Sequence, residues 1–106
     1  MASEVKFVEF TPLARIQLED VIAYIMCEFG KRSAAKFILT LEKHLQNVAE
    51  GKIVNRYFYK TRHIRYFIAN RKNYILYRET KNSIQVMGVY RVKQDMGKIT
   101  RNFRKL

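Results

Sequence analysis

The sequence predicts an α+β fold in which an antiparallel sheet is packed on one face by an antiparallel helical hairpin, in the order β-α-α-β-β-β. Two segments of the first half repeat apolar residues every three or four positions, which is the period of an amphipathic helix. The connection between them is so short that the two helices must be antiparallel neighbours. Residues 63–95 alternate apolar and polar side chains around two polar turns, which is the pattern of three meandering strands.

The length and composition are those of one folded domain. The chain has 106 residues, of which 48% are hydrophobic, so we expect residues 1–106 to form a single domain with a basic tail over about 96–106. No apolar run approaches the length of a membrane span, and no signal-peptide pattern opens the chain. Because Cys27 is the sole cysteine, no intrachain disulfide can form, and the cytoplasm is the expected location.

Start and stop signals predict the bounds of the two helices. Thr11 is a suitable N-cap and Pro12 suits the first helical position, so the first helix is predicted over residues 12–29, with Gly30 as its stop. Ser33 is the predicted N-cap of the second helix, which ends near residue 50. The acidic residues of the first half fall on these helices, where we expect a solvated face.

Alternation predicts where the strands run. Residues 5–10 suit a short edge strand of the same sheet, and residues 52–62 are interpreted as a loop or irregular strand. The meander strands are expected at residues 63–69, 74–80 and 83–91. Tyr66 shares its parity with Ile64 and Ile68 and is therefore expected in the core, whereas Arg65 and Phe67 fall on the opposite face.

The positive charge lies almost entirely in the second half. Residues 1–50 contain six Lys/Arg and seven Asp/Glu, a net charge of −1, whereas residues 51–106 contain fifteen and two, a net charge of +13. Such asymmetry indicates a polyanionic partner, which is a nucleic acid, an acidic protein segment or a membrane surface. The alternative is a basic surface that only keeps the protein dissolved.

The sequence shows no motif for metal or cofactor chemistry. Gly-rich phosphate loops, HExxH and CxxC are all absent. His44 and His63 lie on different predicted elements without a cysteine cluster, so no metal and no cofactor are expected. His44 is interpreted as a surface histidine and Cys27 as a small, half-buried side chain.

Arginine, lysine and tyrosine are interleaved along the second half. Cations bind phosphates and aromatic faces stack on unpaired bases, so this set would form an RNA-binding surface on a sheet. The competing interpretation is that half of the tyrosines point into the core. The interleaved residues are Arg56, Tyr57, Tyr59, Lys60, Arg62, Arg65, Tyr66, Arg71, Lys72, Tyr74, Tyr77, Arg78, Tyr90, Arg91 and Lys93.

The joint order of these elements resembles the RelE/ParE superfamily of bacterial toxins over nearly the whole chain. The segment FVEFTPLARIQLEDVIAYIMCEFGKRSAAKFILTLEKHL is similar to the ParE-type start, with an aromatic residue and a glycine at the end of the first helix. NYILYR resembles the family's central strand, and VMGVYRVKQD its last strand, which ends here in Lys93, Gln94 and Asp95. The resemblance implies the toxin of a type II toxin–antitoxin (plasmid stabilisation) system, which inhibits growth.

The superfamily contains two mechanisms. The RelE type is a ribosome-dependent mRNA endonuclease that uses Lys, Arg and Tyr side chains, whereas the ParE type inhibits DNA gyrase and is not a ribonuclease. Where the RelE pattern has two lysines two positions apart, this chain has Arg65 and Phe67, and no tyrosine follows Tyr90. These departures favour the ParE type. If the chain is RelE-like, the resemblance implies a catalytic set of Arg65, Arg71, Arg78, Arg91 and Lys93.

The resemblance also implies partners. These are a cognate acidic antitoxin, either DNA gyrase or ribosome-bound mRNA as target, operator DNA only through the antitoxin, and a second copy through the helical hairpin, with no membrane. A non-toxic basic binding module of the same fold is the further alternative. The residues expected to bind target or antitoxin are Arg56, Arg62, Arg65, Arg71, Arg78, Tyr90, Arg91 and Lys93.

Overall fold

The computed structural model describes residues 5–93 and Ile99. In order, this range forms β1 (Phe7–Phe10), α1 (Pro12–Phe29), α2 (Lys31–Ala49), β2 (Tyr57–Tyr59), a 3-10 turn (Lys60–Arg62), β3 (Ile64–Ala69), β4 (Asn73–Glu79) and β5 (Ser83–Arg91). The predicted α+β order is confirmed, and β2 is a short strand within the segment interpreted as a loop or irregular strand. Apart from Ile99, the predicted basic tail lies outside the described residues.

The strands form one sheet in the spatial order β1-β5-β4-β3-β2. Neighbours from β2 to β5 pair antiparallel, as the meander predicts. β1 instead runs parallel to β5, with Phe7 opposite Ser83 and Phe10 opposite Val86. The sheet is therefore mixed at this edge, which corrects the prediction of a wholly antiparallel sheet.

Local capping explains where the helices begin and end. Thr11 Oγ1 accepts the N–H of Ala14 over 3.1 Å, so the predicted N-cap of α1 is confirmed. Gly30 adopts a φ of +92°, which L side chains rarely adopt, and separates the two helices. The predicted N-cap Ser33 is wrong, because α2 already begins at Lys31. Neither helix is long and apolar enough to cross a membrane within the described residues.

The main core lies between the helical hairpin and one face of the sheet. It comprises Ala14, Ile25, Ala34, Phe37, Leu41, Leu45, Val48, Ala49, Phe67, Ala69, Ile75, Tyr77, Ile84, Val86 and Val89. Alternation correctly separated Tyr66 from Phe67, but the face assigned to the core was wrong. Phe67 packs under the helices, whereas Tyr66 is half-buried on the opposite face of β3. A strand's parity shows which residues share a face but not which face the helices cover.

The opposite face of the sheet carries a second apolar cluster, formed by Ile64, Leu76, Met87, Tyr90 and Ile99. Four half-buried rings pack against it, those of Phe58, Tyr59, Tyr66 and Tyr74. Ile99 is only 1% exposed and packs on this face. Most tyrosines of the meander are therefore packing residues.

An irregularity in β5 decides which side chains point to which face. Leu76 lies opposite Gly88 and Tyr77 opposite Val86, so Met87 is the extra residue of a β-bulge. Uninterrupted alternation would place Val86 and Tyr90 on the same face. Because of the bulge, Val86 lies in the main core and Tyr90 in the second cluster.

Candidate functional site: a basic cleft

A cleft of about 520 Å³ opens between α1, the β3–β4 turn and the end of β5. Its lining includes two aromatic side chains of α1, Tyr24 and Phe29, and four cationic side chains, Arg71, Lys72, Arg91 and Lys93. Asp20 of α1 is an acidic residue of the lining. The fold therefore brings Arg71, Arg91 and Lys93, all predicted as binding residues, to one concave surface. We call this surface the basic cleft.

A strained turn presents Arg71 to the basic cleft. Asn70 and Arg71 have φ of +56° and +58°, and the N–H of Lys72 donates to the Ala69 carbonyl over 3.2 Å. Asparagine tolerates this left-handed region, but for arginine it costs on the order of 1 kcal/mol. The strain persists because Ala69 pairs directly with Asn73, which leaves three residues to reverse the chain. Such strain tends to occur at functional positions.

Hydrogen bonds fix the walls of the basic cleft. The side-chain oxygen of Gln17 on α1 accepts the N–H of Val89 over 2.8 Å. The N–H of Val92 donates to the Lys72 carbonyl, also over 2.8 Å. Both α1 and the β3–β4 turn are thus tied to β5 and its continuation. A site whose walls are already held loses less conformational entropy when a ligand binds.

Two of the cations lie over the two aromatic rings. The ammonium of Lys72 is 5.0 Å from the centroid of the Phe29 ring, and the guanidinium of Arg91 is 5.0 Å from that of Tyr24. The two rings meet edge to face, with centroids 6.4 Å apart. Tyr24 and Phe29 are 46% and 55% exposed, so much of their surface is open to solvent. Each cation–π contact at such a site contributes roughly 0.5–1 kcal/mol.

Two members of the RelE-like set lie outside the basic cleft. Arg65 lies over the ring of Tyr57, 4.0 Å from its centroid, and donates to the Asn55 carbonyl. Arg78 lies towards the far end of β4 and donates to Gln85 over 3.4 Å. At about 3.3 Å per residue, Arg78 is about 16 Å along β4 from its first residue, which borders the cleft. The five side chains therefore do not surround one point.

The remaining predicted binding residues also lie elsewhere. Arg56 is exposed and Arg62 is half-buried, both on the segment around β2. Tyr90 is 4% exposed and belongs to the second cluster. None of the three is in the lining of the basic cleft.

The aromatic wall of the cleft was not predicted from the sequence. Phe29 was placed in the three- and four-residue apolar repeat of α1, which is wrong because its side chain is 55% exposed, and Tyr24 was not selected at all. The spacing gives no signal for this wall, because Tyr24 follows Val21 by three positions and Phe29 follows Ile25 by four, yet both rings are about half exposed. The contact between Tyr24 and Arg91 at the end of β5 depends on the tertiary structure, and no local sequence pattern predicts it.

A polar junction formed by His44, Asn55 and Tyr77 connects α2 to the sheet, and none of these residues lines the basic cleft. The side-chain amide of Asn55 lies 3.2 Å from His44 Nε2 and 2.9 Å from the Tyr77 hydroxyl, and His44 stacks on Phe67 with centroids 3.7 Å apart. The interpretation of His44 as a surface residue is wrong. Burial lowers the pKa of His44. Burial raises the pKa of the Tyr77 hydroxyl.

Cys27, expected to be half-buried, is exposed.

Comparison with known proteins agrees with this architecture. Residues 8–96 match the family model of the ParE toxin of the type II toxin–antitoxin system parDE. Among solved structures, the chain is similar to one from the chromosomal ParDE TA system from P. aeruginosa, with a TM-score of 0.68 and 15% identity over 86% of this chain and 100% of that chain. At this identity the likeness concerns the fold alone. No curated protein sequence matches the chain.

The helical hairpin on one face of a five-stranded mixed sheet is the fold that the chain shares with the structure from the ParDE system. The family match is more specific. The chain belongs to the ParE toxin family of type II toxin–antitoxin systems.

Proposed function

We propose that this ParE-family chain stops growth by inhibiting DNA gyrase and that a cognate acidic antitoxin neutralises it. The observation that carries the proposal is the match to the ParE toxin family over residues 8–96. Gyrase is the target that the ParE-type resemblance implies. The action would take place in the cytoplasm, and plasmid stabilisation is its proposed biological setting.

Cleavage of ribosome-bound mRNA has less support. Acid–base catalysis requires its groups within hydrogen-bond reach of one reacting phosphodiester. Arg65 and Arg78 lie away from the cleft that holds the other three members of the set. Phe67, which stands where the RelE pattern has a lysine, is 7% exposed and packs in the main core. That position therefore presents no cation to a substrate.

Two neighbouring features suit an antitoxin that adds to the sheet. β1 is the edge strand of the sheet formed by the described residues, which suits pairing of its outer side with an extended segment. Phe7 on this strand is 77% exposed. Beside it runs an apolar groove of about 790 Å³ between β1 and the helices, lined by Val8, Phe10, Leu18, Ile22, Ile38 and Leu39 among others. We call it the edge groove, and we propose that an amphipathic segment of the antitoxin occupies it.

The second half provides the charge for an acidic partner. Residues 51–106 carry a net charge of +13, and much of it is on exposed side chains of the described range. Complementary charge raises association rates and excludes wrong partners more than it adds affinity. Apolar contacts and strand pairing would therefore provide most of the affinity for the proposed antitoxin. The acidic residues of the antitoxin would direct it to the basic side of the toxin.

A homodimer through the helical hairpin is proposed for the free toxin. Leu13, Ile16 and Met26 of α1 are 50%, 58% and 45% exposed, which leaves apolar area for a second copy. Analytical ultracentrifugation of the purified chain tests this, and a sedimentation coefficient of a 12.7 kDa monomer across the concentration series would contradict it.

A supercoiling assay tests the main proposal. Purified chain is incubated with gyrase and relaxed plasmid, and the product of the neighbouring antitoxin gene is added to a parallel reaction. We expect loss of supercoiling that the antitoxin reverses. A translating extract with a reporter mRNA runs beside it. Cleaved mRNA with unaffected supercoiling would replace the proposal with RelE-like activity. If the chain affects neither supercoiling nor the mRNA, a non-toxic basic binding module is the remaining alternative.

A further inference from the structure

We propose that the basic cleft is a binding site for a nucleotide phosphate, with the attached base against the rings of Tyr24 and Phe29. The ligand class is a mononucleotide or an unpaired nucleotide of a single-stranded nucleic acid. The inference goes beyond the gyrase and antitoxin proposals and depends on neither of them.

Charge and size fit a phosphate-bearing ligand. Among the described residues of the lining, four cations and one acid, Asp20, give a net charge of +3 around a space of about 520 Å³. Small-ligand pockets span about 300–1,000 Å³, so this space suits one nucleotide. Guanidinium groups bind phosphate oxygens in a forked geometry, and ammonium groups bind them as point charges. Both kinds of cation are present, on the turn and on the end of β5.

The aromatic wall distinguishes a nucleotide from a simple anion. Tyr24 and Phe29 leave about half of their surfaces exposed within a surface that is otherwise rich in charge. Base–aromatic stacking contributes roughly 1–3 kcal/mol per base and accepts any base. An acidic peptide would use the cations but would gain no stacking from these rings. The combination of ring and cation therefore favours a nucleotide over a carboxylate ligand.

The backbone of Arg71 provides an independent indication. Its side chain is exposed, so packing does not require an arginine at a φ of +58°, where glycine would be unstrained. An arginine kept at a strained position on the rim of a cleft is expected where the guanidinium serves a ligand.

Two further cations follow the aromatic wall of the cleft in the sequence. Lys31 and Arg32 open α2 immediately after Phe29 and Gly30, and no side-chain hydrogen bond caps this helix N-terminus. The N-terminal end of a helix carries partial positive charge and attracts anions. These cations would add to the electrostatic attraction of a phosphate-bearing ligand.

Fluorescence polarisation of the full chain with a fluorescein-labelled single-stranded oligothymidine tests the proposal. Arg71→Gly relieves the turn and removes one cation, so it weakens binding without risking the fold. We expect a Kd increase of about tenfold and a salt-dependence slope that falls by about 0.7 for the lost phosphate contact. Lys72→Gln should behave alike, whereas Asp20→Asn should tighten binding.

A matched control separates the cleft from general attraction. Lys81 is exposed in the turn at the opposite end of β4 and β5, so Lys81→Gln removes the same charge away from the cleft. Its Kd should change less than twofold. An equal loss in Lys81→Gln and Arg71→Gly would overturn the site, because it would show only diffuse attraction by a basic surface. Absence of oligonucleotide binding would overturn it outright.

Two further arms define the ligand. Tyr24→Leu should weaken oligonucleotide binding at least fivefold, and Tyr57→Leu, an exposed tyrosine elsewhere, should not. Polyglutamate of matched charge should compete poorly, and competition as strong as that of unlabelled oligonucleotide would replace the nucleotide with an acidic peptide. Displacement by a free thymidine mononucleotide identifies a one-nucleotide site, whereas displacement only by strands identifies single-stranded nucleic acid as the source.

Discussion

The side-chain amide of Asn55 donates to His44 Nε2 over 3.2 Å, and it also lies 2.9 Å from the Tyr77 hydroxyl. An amide nitrogen can only donate, so His44 must accept through Nε2 and carry its proton on Nδ1. The folded protein therefore needs the neutral imidazole. One loop residue in this way joins α2 to β4 and makes the contact sensitive to protonation.

The first prediction is that the protein loses stability in mild acid through His44. Its pKa is lowered in the folded state from the ordinary 6.5, so the unfolded chain binds the proton more readily. This contribution is fully present above about pH 6.5 and is lost as the pH falls below it. Urea unfolding at pH 7.5 and 5.5 should show a lower midpoint at pH 5.5.

Substitution of each histidine isolates this effect. His44→Gln should flatten the difference between the two pH values. His63 is exposed and has a φ of +57°, so His63→Asn is a control that keeps the backbone preference. If His63→Asn removes the difference between the two pH values instead, the pH dependence belongs to His63 and the prediction is wrong.

The second prediction concerns Asn55 itself. Asn55→Ala removes a donor from a tyrosine that is 1% exposed and from the half-buried His44. We expect a destabilisation of about 1–3 kcal/mol, which lowers the melting temperature by several degrees in thermal circular dichroism. Asn82→Ala, at an exposed turn, should have little effect. In combination with Tyr77→Phe the losses should be less than additive, and strict additivity would show that the two residues are not coupled.

The third prediction is that Arg71→Gly stabilises the protein. Glycine adopts a φ of +58° without the Cβ penalty, so the free energy of unfolding should rise by about 0.5–1 kcal/mol after the entropy of the unfolded glycine is counted. Lys72→Gly is the matched control, because Lys72 has no positive φ and should lose stability. In chemical unfolding, the free energy of unfolding should therefore rise in Arg71→Gly and fall in Lys72→Gly. A fall in both variants would contradict the strain at Arg71.

The fourth prediction is that Gly30→Ala destabilises the helical hairpin. Gly30 has φ +92° and ψ 172°, a region that is essentially restricted to glycine, and a Cβ built there meets no atom within 4 Å. The cost is therefore backbone strain alone, on the order of 1–3 kcal/mol. Ala35→Gly on the exposed face of α2 provides a scale, since it should cost about 1 kcal/mol. A smaller loss in Gly30→Ala than in this reference would show that the junction relaxes.

The fifth prediction addresses the proposed antitoxin surface. Leu39 lies in the edge groove and is 66% exposed, so Leu39→Asp should leave the fold intact while it weakens antitoxin binding by at least tenfold in calorimetric titration. Leu13→Asp is the control, because Leu13 is 50% exposed on α1 but does not line the groove. Equal effects of both substitutions would move the binding surface from the edge groove to the helical hairpin.

Local sequence was sufficient for the elements and for the distribution of charge. Thr11 and Pro12 mark the start of α1, Gly30 its end, and alternation marks the meander, because capping and periodicity depend on residues only a few positions apart. The basic second half is a matter of composition. The family resemblance followed from the order of these same elements, and the family match confirms it.

Only the tertiary structure decided how these elements meet. The parallel pairing of β1 with β5, the choice of Phe67 rather than Tyr66 for the main core and the bulge at Met87 all depend on contacts between distant segments. The basic cleft has the same origin, since α1, a turn and the end of β5 must converge to form it. Periodicity shows which residues share a face, but which surface that face meets is a property of the whole chain.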